Sequence, residues 1–326
     1  MILSRVADAL YWMGRYLERA ENATRLLLVA EELSTEVLGL DEDLARAEWE
    51  SLAEIFPGHA PDHAGDPDRP ERPLRSAALA ATALAALSLS LQHPSSVHFS
   101  LKKARDNART VREALTVEVF VNLNETYQDL EAQAKRKITD PTTFRAALSE
   151  AQRGILATVG AIESTLTRDP GWQFLKLGES LERVFRTATV LRVKLPGLIE
   201  PESKGDLPVL YTRWRGLLRG LSSLENYRQV AGARFEPLDV LHFLLFNPHA
   251  PRSLHSGVAA VKEGLARLSN GAALTPPARV VGKLAAALAY QEDEIVARGT
   301  YVPFLEHVLA EVGKTHDALS TLYFGS

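Results

Sequence analysis

A six-residue pattern, Gly-x-x-Leu-Glu-Arg, occurs twice in the chain, at residues 14–19 and 178–183. Around each copy, apolar and small residues recur every three or four positions, which places them on one face of an α-helix. The two stripes consist of Leu3, Val6, Leu10, Met13, Leu17, Ala20, Thr24 and Leu27, and of Phe174, Leu177, Leu181, Val184, Ala188, Leu191 and Leu195. The sequence therefore predicts two long helices, each with its motif glutamate just beside a buried seam.

The rest of the sequence keeps the same helical period. No segment shows the sustained alternation that is typical of a strand, and clusters of proline and glycine divide the chain into helical lengths. We predict helices over residues 2–38, 42–56, 74–91, 95–115, 117–137, 141–168, 171–195, 208–231, 237–246, 252–270, 275–297 and 303–323. The expected fold class is therefore all-α, a bundle of about ten to twelve helices.

Residues 57–73 interrupt this pattern because they are rich in proline and contain almost no apolar residue. Such a segment buries too little surface to offset the entropy of ordering it. We predict a loop here and leave its degree of order open.

The two halves of the chain follow one plan. The motif, a tryptophan and a Pro-x-Ser sequence recur in the same order, at Glu18 and Glu182, Trp49 and Trp214, and Pro94 and Pro251. We therefore predict an internal duplication, with an N-terminal half of residues 1–168 and a C-terminal half of residues 169–326 packed as one unit. The alternative is a chance match, since any two amphipathic helices can be slid into register.

The halves differ in their charged residues. On the first motif helix, Arg15, Glu18, Asn22 and Arg25 are spaced by three and four positions and therefore share one face. The helix at 95–115 adds a cationic row, which the second half lacks, formed by Lys102, Arg105, Arg109 and Arg112. We therefore expect a binding site in the first half.

Arginines this close together repel one another unless an anion lies among them, and their forked donors suit carboxylates and phosphates. The anion is either a ligand or an internal carboxylate such as Glu18 or Glu21. A structural interpretation is also open. In that case Glu18, Arg19, Glu182 and Arg183 form ion pairs that fix the packing of two helices, and the arginine row is an ordinary solvated face.

The two motifs, with Glu-Asn at 21–22 and Ala-Arg-Asp-Asn-Ala-Arg at 104–109, resemble the bacterial alpha-E family from about residue 1 to residue 320. The resemblance implies an all-helical protein. It also implies a functional association with two kinds of enzyme, because such proteins are typically encoded beside circularly permuted ATP-grasp ligases and transglutaminase-like cysteine peptidases. Peptide or amide-bond metabolism is the implied context, and the resemblance assigns no role to any residue.

Three further polar residues, Asn107, Asn124 and Tyr127, match positions associated with that family. Helix capping, bridging and core-edge packing are the structural alternatives for them. The complete set of candidate ligand-binding residues is Arg15, Glu18, Arg19, Asn22, Arg25, Arg105, Asn107, Arg109, Arg112, Asn124, Tyr127, Glu182 and Arg183.

Composition excludes several kinds of chemistry. With no cysteine, the chain has no disulfide, thiolate metal site or cysteine nucleophile. A net charge of −4 does not favour nucleic-acid binding, and the phosphate-loop, dinucleotide and serine-hydrolase motifs are absent. The nine histidines lack the spacing of a di-iron bundle, and His59 and His63 lie in the proline-rich segment. We expect no metal and no other cofactor.

The N-terminal sequence lacks the features of a secretory signal. The most apolar segment, residues 77–91, is too short to span a bilayer comfortably. We therefore expect a cytoplasmic protein that is not inserted in a membrane.

Three functions remain open. The leading one is an accessory protein of an ATP-grasp type peptide ligase, binding an anionic peptide or small molecule. The second is an enzyme in its own right on peptide or amide substrates, with Glu18 or Glu182 as general base. The third is a structural helical protein, possible as a homo-oligomer, whose motifs only direct packing.

Overall fold

The computed structural model of the protein describes residues 3–38, 41–57, 75–136, 138, 140–199, 207–232, 235–269, 274–290, 292–297 and 299–325. These residues form α-helices and no strands, which confirms the all-α fold class. The fifteen α-helices of the described residues are α1 Ser4–Leu38, α2 Glu42–Ile55, α3 Ser76–Leu84, α4 Val97–Thr110, α5 Val117–Lys135, α6 Pro141–Thr165, α7 Pro170–Lys194, α8 Pro196–Ile199, α9 Leu207–Gly220, α10 Leu224–Ala231, α11 Pro237–Phe246, α12 Leu254–Leu268, α13 Pro276–Tyr290, α14 Glu292–Ala297 and α15 Tyr301–Leu319.

The two motif helices, α1 and α7, lie at the centre of the molecule. They pack along each other, and α1 is also covered by α2, α4, α6 and α9, while α7 is covered by α12 and α15. The seam of α7 is buried throughout, and that of α1 is buried from Leu10 onward, with Leu3 exposed and Val6 half-buried. Each motif therefore lies where the helices of both halves meet.

Helix ends follow local chemistry. The α7 helix begins at Pro170, whose ring suits the first helical turn, and the Asp169 side chain accepts a hydrogen bond from the backbone N–H of Trp172 (2.9 Å). The α12 helix begins in the same way, because the Ser253 hydroxyl accepts a hydrogen bond from the N–H of Ser256 (3.0 Å). These caps fix where α7 and α12 begin.

Some predicted helices are divided. The predicted helix over 208–231 is two helices, α9 and α10, separated at Ser222, whose φ of 49° lies in the left-handed region. The predicted helix over 275–297 is divided into α13 and α14, and the segment over 74–91 continues from α3 into a π-helical turn, Ala85–Leu89.

The predicted boundary between the halves, at residues 168 and 169, falls in the connection between α6 and α7. The predicted loop at 57–73 lies outside the described residues apart from Pro57. Among the helices described, none combines the length and the apolar character needed to cross a membrane.

Candidate functional site

The α1 and α7 helices touch backbone to backbone at the glycines of the two motifs. A Cβ atom added to Gly14 would lie 2.1 Å from the carbonyl oxygen of Leu175, and one added to Gly178 would lie 2.0 Å from that of Tyr11. Real Cβ contacts are essentially never shorter than 3.0 Å, so both positions require glycine. Tyr11 and Leu175 each precede a motif glycine by three residues, and the contact is therefore reciprocal.

One turn further on, the glutamate and arginine of each motif pair with those of the other. The Arg183 Nη2 atom donates to Glu18 Oε2 (2.7 Å), and Arg19 Nε donates to Glu182 Oε1 (2.8 Å). Because the contacts advance along both helices together, α1 and α7 run in the same direction. The glycines bring the helices close, and the ion pairs then join them across the interface.

The first group of charges, which we call the Glu18 network, consists of four carboxylates, Glu18, Glu21, Glu163 and Glu179, and four cations, Arg25, Lys176, Arg183 and Arg252. Arg252, from the start of α12, donates to Glu18 (2.7 Å) and to Glu21 (2.8 Å). Arg183 reaches Glu179 as well as Glu18, and Arg25 pairs with Glu21. Carboxylates and cations alternate, so each buried charge has counter-charges beside it.

The pKa shifts of Glu18 and Arg252 agree with this pairing of opposite charges. Burial would raise the pKa of Glu18, but the guanidinium groups of Arg183 and Arg252 outweigh it and lower the pKa to about 2. Burial would lower the pKa of Arg252, and the carboxylates of Glu18 and Glu21 raise it instead. The Glu18 network is thus ionised and internally compensated.

The second group, which we call the Glu182 cluster, has one carboxylate and three guanidinium groups. Glu182 is completely buried and accepts hydrogen bonds from the Nε atoms of Arg15 (2.8 Å), Arg19 (2.8 Å) and Arg186 (2.9 Å). These arginines lower the pKa of Glu182 well below its usual value, although burial acts in the opposite direction. Positive charge is therefore in excess here.

The excess is visible at Arg186. Burial lowers the pKa of this guanidinium, and repulsion from Arg19 and Arg15 adds to the effect, against the attraction of Glu182. Arg186 is only 4% exposed, and its Cζ atom lies over the rings of Phe56 and Phe185, 5.4 Å and 5.3 Å from their centroids. Its Nη1 and Nη2 atoms make no hydrogen bond to any described residue.

A cleft of about 540 Å³ lies beside the Glu182 cluster. It is lined from α1, α2, α7, α15 and the segment before α4 by Arg15, Arg19, Glu54, Ile55, Pro57, Ser95, Phe185, Arg186, Thr189, Arg192, Glu306 and Leu309. Four arginines thus line one cleft, and Arg186 brings two unused donors to it. Such an arrangement can hold a carboxylate or a phosphate.

The predicted arginine row lies elsewhere, because the helix predicted over 95–115 ends at Thr110: Lys102, Arg105 and Arg109 are on α4, and Arg112 begins the short 3-10 helix that follows it, Arg112–Ala114. Arg105 donates to the side-chain oxygen of Asn124 (2.7 Å) and lies over the ring of Tyr127 (4.9 Å). Arg112 lies over the ring of Phe120 (4.6 Å), whereas Arg109 is exposed. Within the described residues, no hydrogen bond or ion pair links this row to Glu18 or Glu182.

The remaining candidate residues also divide between the motif region and the region of the arginine row. Asn107 donates to the carbonyl of Lys103 (2.9 Å), one turn back on α4. Tyr127 donates to Glu131 (2.8 Å), and burial, with that hydrogen bond, raises the pKa of its hydroxyl to about 12. Asn22 belongs to the motif region and is buried, and its side-chain oxygen has no hydrogen-bond partner among the described residues. The candidate set therefore forms two groups, one at the motifs and one on α4, α5 and the short 3-10 helix between them.

Six charged residues of the two groups were not among the candidates: Glu21, Glu163, Lys176, Glu179, Arg186 and Arg252. Arg186 had a local signal, because it follows Glu182 by four positions and therefore faces it on the helix. Arg252 had none, since it is 234 positions from Glu18 and the two meet only through tertiary packing. Among the described residues, no group of three or more His, Asp or Glu side chains is arranged to hold a metal ion.

These features define a class of all-α protein built on two parallel central helices with reciprocal Glu-Arg pairing. The chain belongs to the alpha-E family, described as a predicted alpha-helical domain with a conserved ER motif, whose sequence model matches residues 2–324.

Similar proteins are found in mycobacteria. Uncharacterised proteins of Mycobacterium bovis and of two strains of Mycobacterium tuberculosis are 26% identical to this chain over 293 residues. The matched region is 86% of this chain but 31% of each mycobacterial protein, so the chain spans about a third of the length of these relatives. No solved structure matches the chain significantly.

Proposed function

We propose that this protein is a non-catalytic accessory protein of an ATP-grasp type peptide ligase system, and that it binds the carboxylate of a peptide, or of a similar anionic small molecule, in the cleft beside Glu182. The observation that carries the binding site is the pair of unused donors on Arg186, which is buried at the wall of a cleft lined by three further arginines.

The donors of Arg186 fit a carboxylate in number and shape. A guanidinium presents its terminal N–H groups as a fork that matches two carboxylate oxygens. A bound anion would satisfy these donors and would also offset the positive charge of the Glu182 cluster.

The geometry favours binding over general-base catalysis by the motif glutamates. Both oxygens of Glu18 and of Glu182 already accept hydrogen bonds from arginine. Since the pKa of each carboxyl is lowered, each is a weak base near neutral pH. The Glu18 network suits helix packing, which is the structural interpretation, while the Glu182 cluster suits a ligand.

The association with a ligase rests on the resemblance to proteins encoded beside ATP-grasp ligases and transglutaminase-like peptidases. In the mycobacterial relatives the matched region is 31% of a longer chain, which supports a role carried out together with other domains. The reciprocal contacts of Gly14 and Gly178 support the proposed internal duplication. Cytoplasm is the compartment that fits these partners.

Equilibrium dialysis tests the binding site. The protein is dialysed against a mixture of tripeptides with free termini and against the same mixture with C-terminal amides, and the retained peptides are counted by mass spectrometry. We expect retention of free carboxylates only, with loss in Arg186→Gln. Arg219→Gln, which removes an arginine that pairs with Glu32 and does not line the cleft, is the matched control. Equal retention of the amides would overturn the proposal.

Co-expression with a circularly permuted ATP-grasp ligase, of the kind encoded beside genes of similar proteins, tests the partner. We expect the two proteins to co-purify in a fixed ratio and the ligase to be more active with its acceptor when this protein is present. If the two proteins did not co-purify and the ligase activity were unchanged, the proposed accessory role would be wrong.

A further inference from the structure

One carboxylate in the cleft is not used by the arginines. Glu306, on α15, lines the same cleft as Arg15, Arg19, Arg186 and Arg192, yet it lies within 4 Å of no cationic nitrogen of any described residue. A carboxylate that only neutralised the cleft would pair with one of these guanidinium groups, as Glu182 does with three. Glu306 is exposed and forms no ion pair with the cationic wall, so its carboxylate is free to face a ligand in the cleft.

Apolar side chains line the cleft together with these two charged regions. Leu309 follows Glu306 by three positions and shares its helix face, and Ile55 and Phe185 also line the cleft. The cleft thus has a cationic wall, an apolar surface and a separate anionic group. Its volume of about 540 Å³ is in the range of sites for small ligands, about 300–1,000 Å³.

We propose that the ligand is zwitterionic: a short peptide or an amino acid whose carboxylate binds at Arg186, whose protonated amine faces Glu306, and whose apolar side chain contacts Leu309 and Phe185. This inference rests on the proposed function, because it names the other end of the same ligand. Opposite charges at the two ends also give the ligand one orientation in the cleft, since reversing it would place like charges together.

The test extends the dialysis experiment with a third tripeptide mixture, identical except for N-terminal acetylation. Acetylation removes the cation and keeps the carboxylate. We expect retention of the acetylated peptides to fall about fivefold relative to the free peptides, as for an exposed ion pair. In Glu306→Gln the free and acetylated mixtures should be retained equally. Glu263→Gln, which removes an exposed carboxylate paired with Arg267, is the control and should keep the difference.

Each outcome separates the two proposals. Retention of free and acetylated peptides alike, with the amides lost, would overturn the role of Glu306 and leave the carboxylate site in place. Retention of the amides would overturn the carboxylate site, and failure to retain any mixture would overturn both. An unchanged preference for free amines in Glu306→Gln would assign the amine to another residue and end this inference.

Discussion

The two motif glutamates make the same contact across the helix interface but lie in opposite surroundings. Around Glu18, carboxylates and cations alternate through Arg252, Glu21 and Arg25. Around Glu182, three guanidinium groups converge on one carboxylate, and a cleft lies beside them. The same backbone contact therefore supports a compensated packing network at one glutamate and a cation-rich site at the other.

The difference lies in residues outside the motif. At the position four residues after the motif glutamate, the first copy has the neutral Asn22 and the second has Arg186. The first copy gains Glu21 and the remote Arg252, which extend the network with balanced charge. The motif residues thus establish the packing of α1 on α7. The residues around each motif determine whether the group of charges is balanced or has an excess of positive charge that can bind an anionic ligand.

Among the substitutions that test the difference between the two glutamates, Glu182→Gln should lower the free energy of unfolding the most. Without its charge, the guanidinium groups of Arg15, Arg19 and Arg186 repel one another, and removing one partner of a buried ion pair destabilises by about 3–5 kcal/mol. Glu18→Gln should cost only about 1–2 kcal/mol, because Arg183 keeps Glu179 and Arg252 keeps Glu21. Urea unfolding monitored by circular dichroism measures both variants. Equal losses would mean that the two surroundings do not differ in charge balance.

The glycines should give the next largest effect, and a symmetrical one. Gly14→Ala and Gly178→Ala each place a methyl group about 2 Å from a carbonyl oxygen of the other helix, and overpacking of this kind destabilises by about 1–3 kcal/mol. The two variants should lower the midpoint of urea unfolding by similar amounts. The control is Gly313→Ala, where the added methyl meets no atom within 4 Å. A large loss at only one motif glycine would argue against a reciprocal contact.

The helices of this fold were predictable because their signals are local. The helices predicted over 2–38 and 171–195 are found at Ser4–Leu38 and Pro170–Lys194, and proline with a capping aspartate marked the second start. The break at Ser222 was not predictable. A serine with positive φ has no strong sequence signal, although local backbone hydrogen bonds close α9 here, from the Ser222 N–H to the Arg219 carbonyl (2.9 Å) and from the Ser223 N–H to the Leu218 carbonyl (2.7 Å).

The site was predictable only in part. The pairing of Glu18 with Arg183 and of Arg19 with Glu182 was one of the two interpretations open from the motif alone. The cleft was not foreseen, because it combines side chains from α1, α2, α7 and α15 that are far apart in sequence. The difference in charge between the two halves predicted a binding site at the cationic row of the first half. The excess of positive charge is found instead in the Glu182 cluster, where residues of both halves meet.

A third prediction separates stability from binding at neighbouring arginines of α7. Arg183→Gln leaves Glu18 with Arg252 alone across the interface, and the lost buried hydrogen bonds should cost about 2 kcal/mol while peptide retention stays unchanged. Arg186→Gln relieves repulsion in the Glu182 cluster, so its stability should change by less than about 1 kcal/mol while retention is lost. Thermal unfolding and peptide dialysis of both variants check this. Loss of retention in Arg183→Gln at full stability would place the ligand at the Glu18 network.

Acid should weaken the Glu18 network in a defined range. The pKa of Glu18 is about 2 in the folded protein and about 4.3 in an unfolded chain. A lowered pKa contributes stability that is fully present above the unfolded value and is lost as the pH falls through the folded value. The stability difference between the wild type and Glu18→Gln should therefore be constant above about pH 5 and shrink between about pH 4.3 and pH 2. Urea titrations at several pH values measure it, and a constant difference throughout would mean that Glu18 is not held ionised.

The smallest effect is expected at Arg109, where the sequence pattern and the cleft lead to opposite expectations. The row pattern predicts that loss of Arg109 abolishes binding of an anion. Its side chain is exposed and does not line the cleft, so we expect Arg109→Gln to change stability by less than about 0.5 kcal/mol and to leave peptide retention unchanged. Arg186→Gln, measured in the same dialysis, gives the contrasting loss. If Arg109→Gln instead removed retention and Arg186→Gln did not, the ligand would bind on α4, and the difference between the two motif glutamates would concern packing alone.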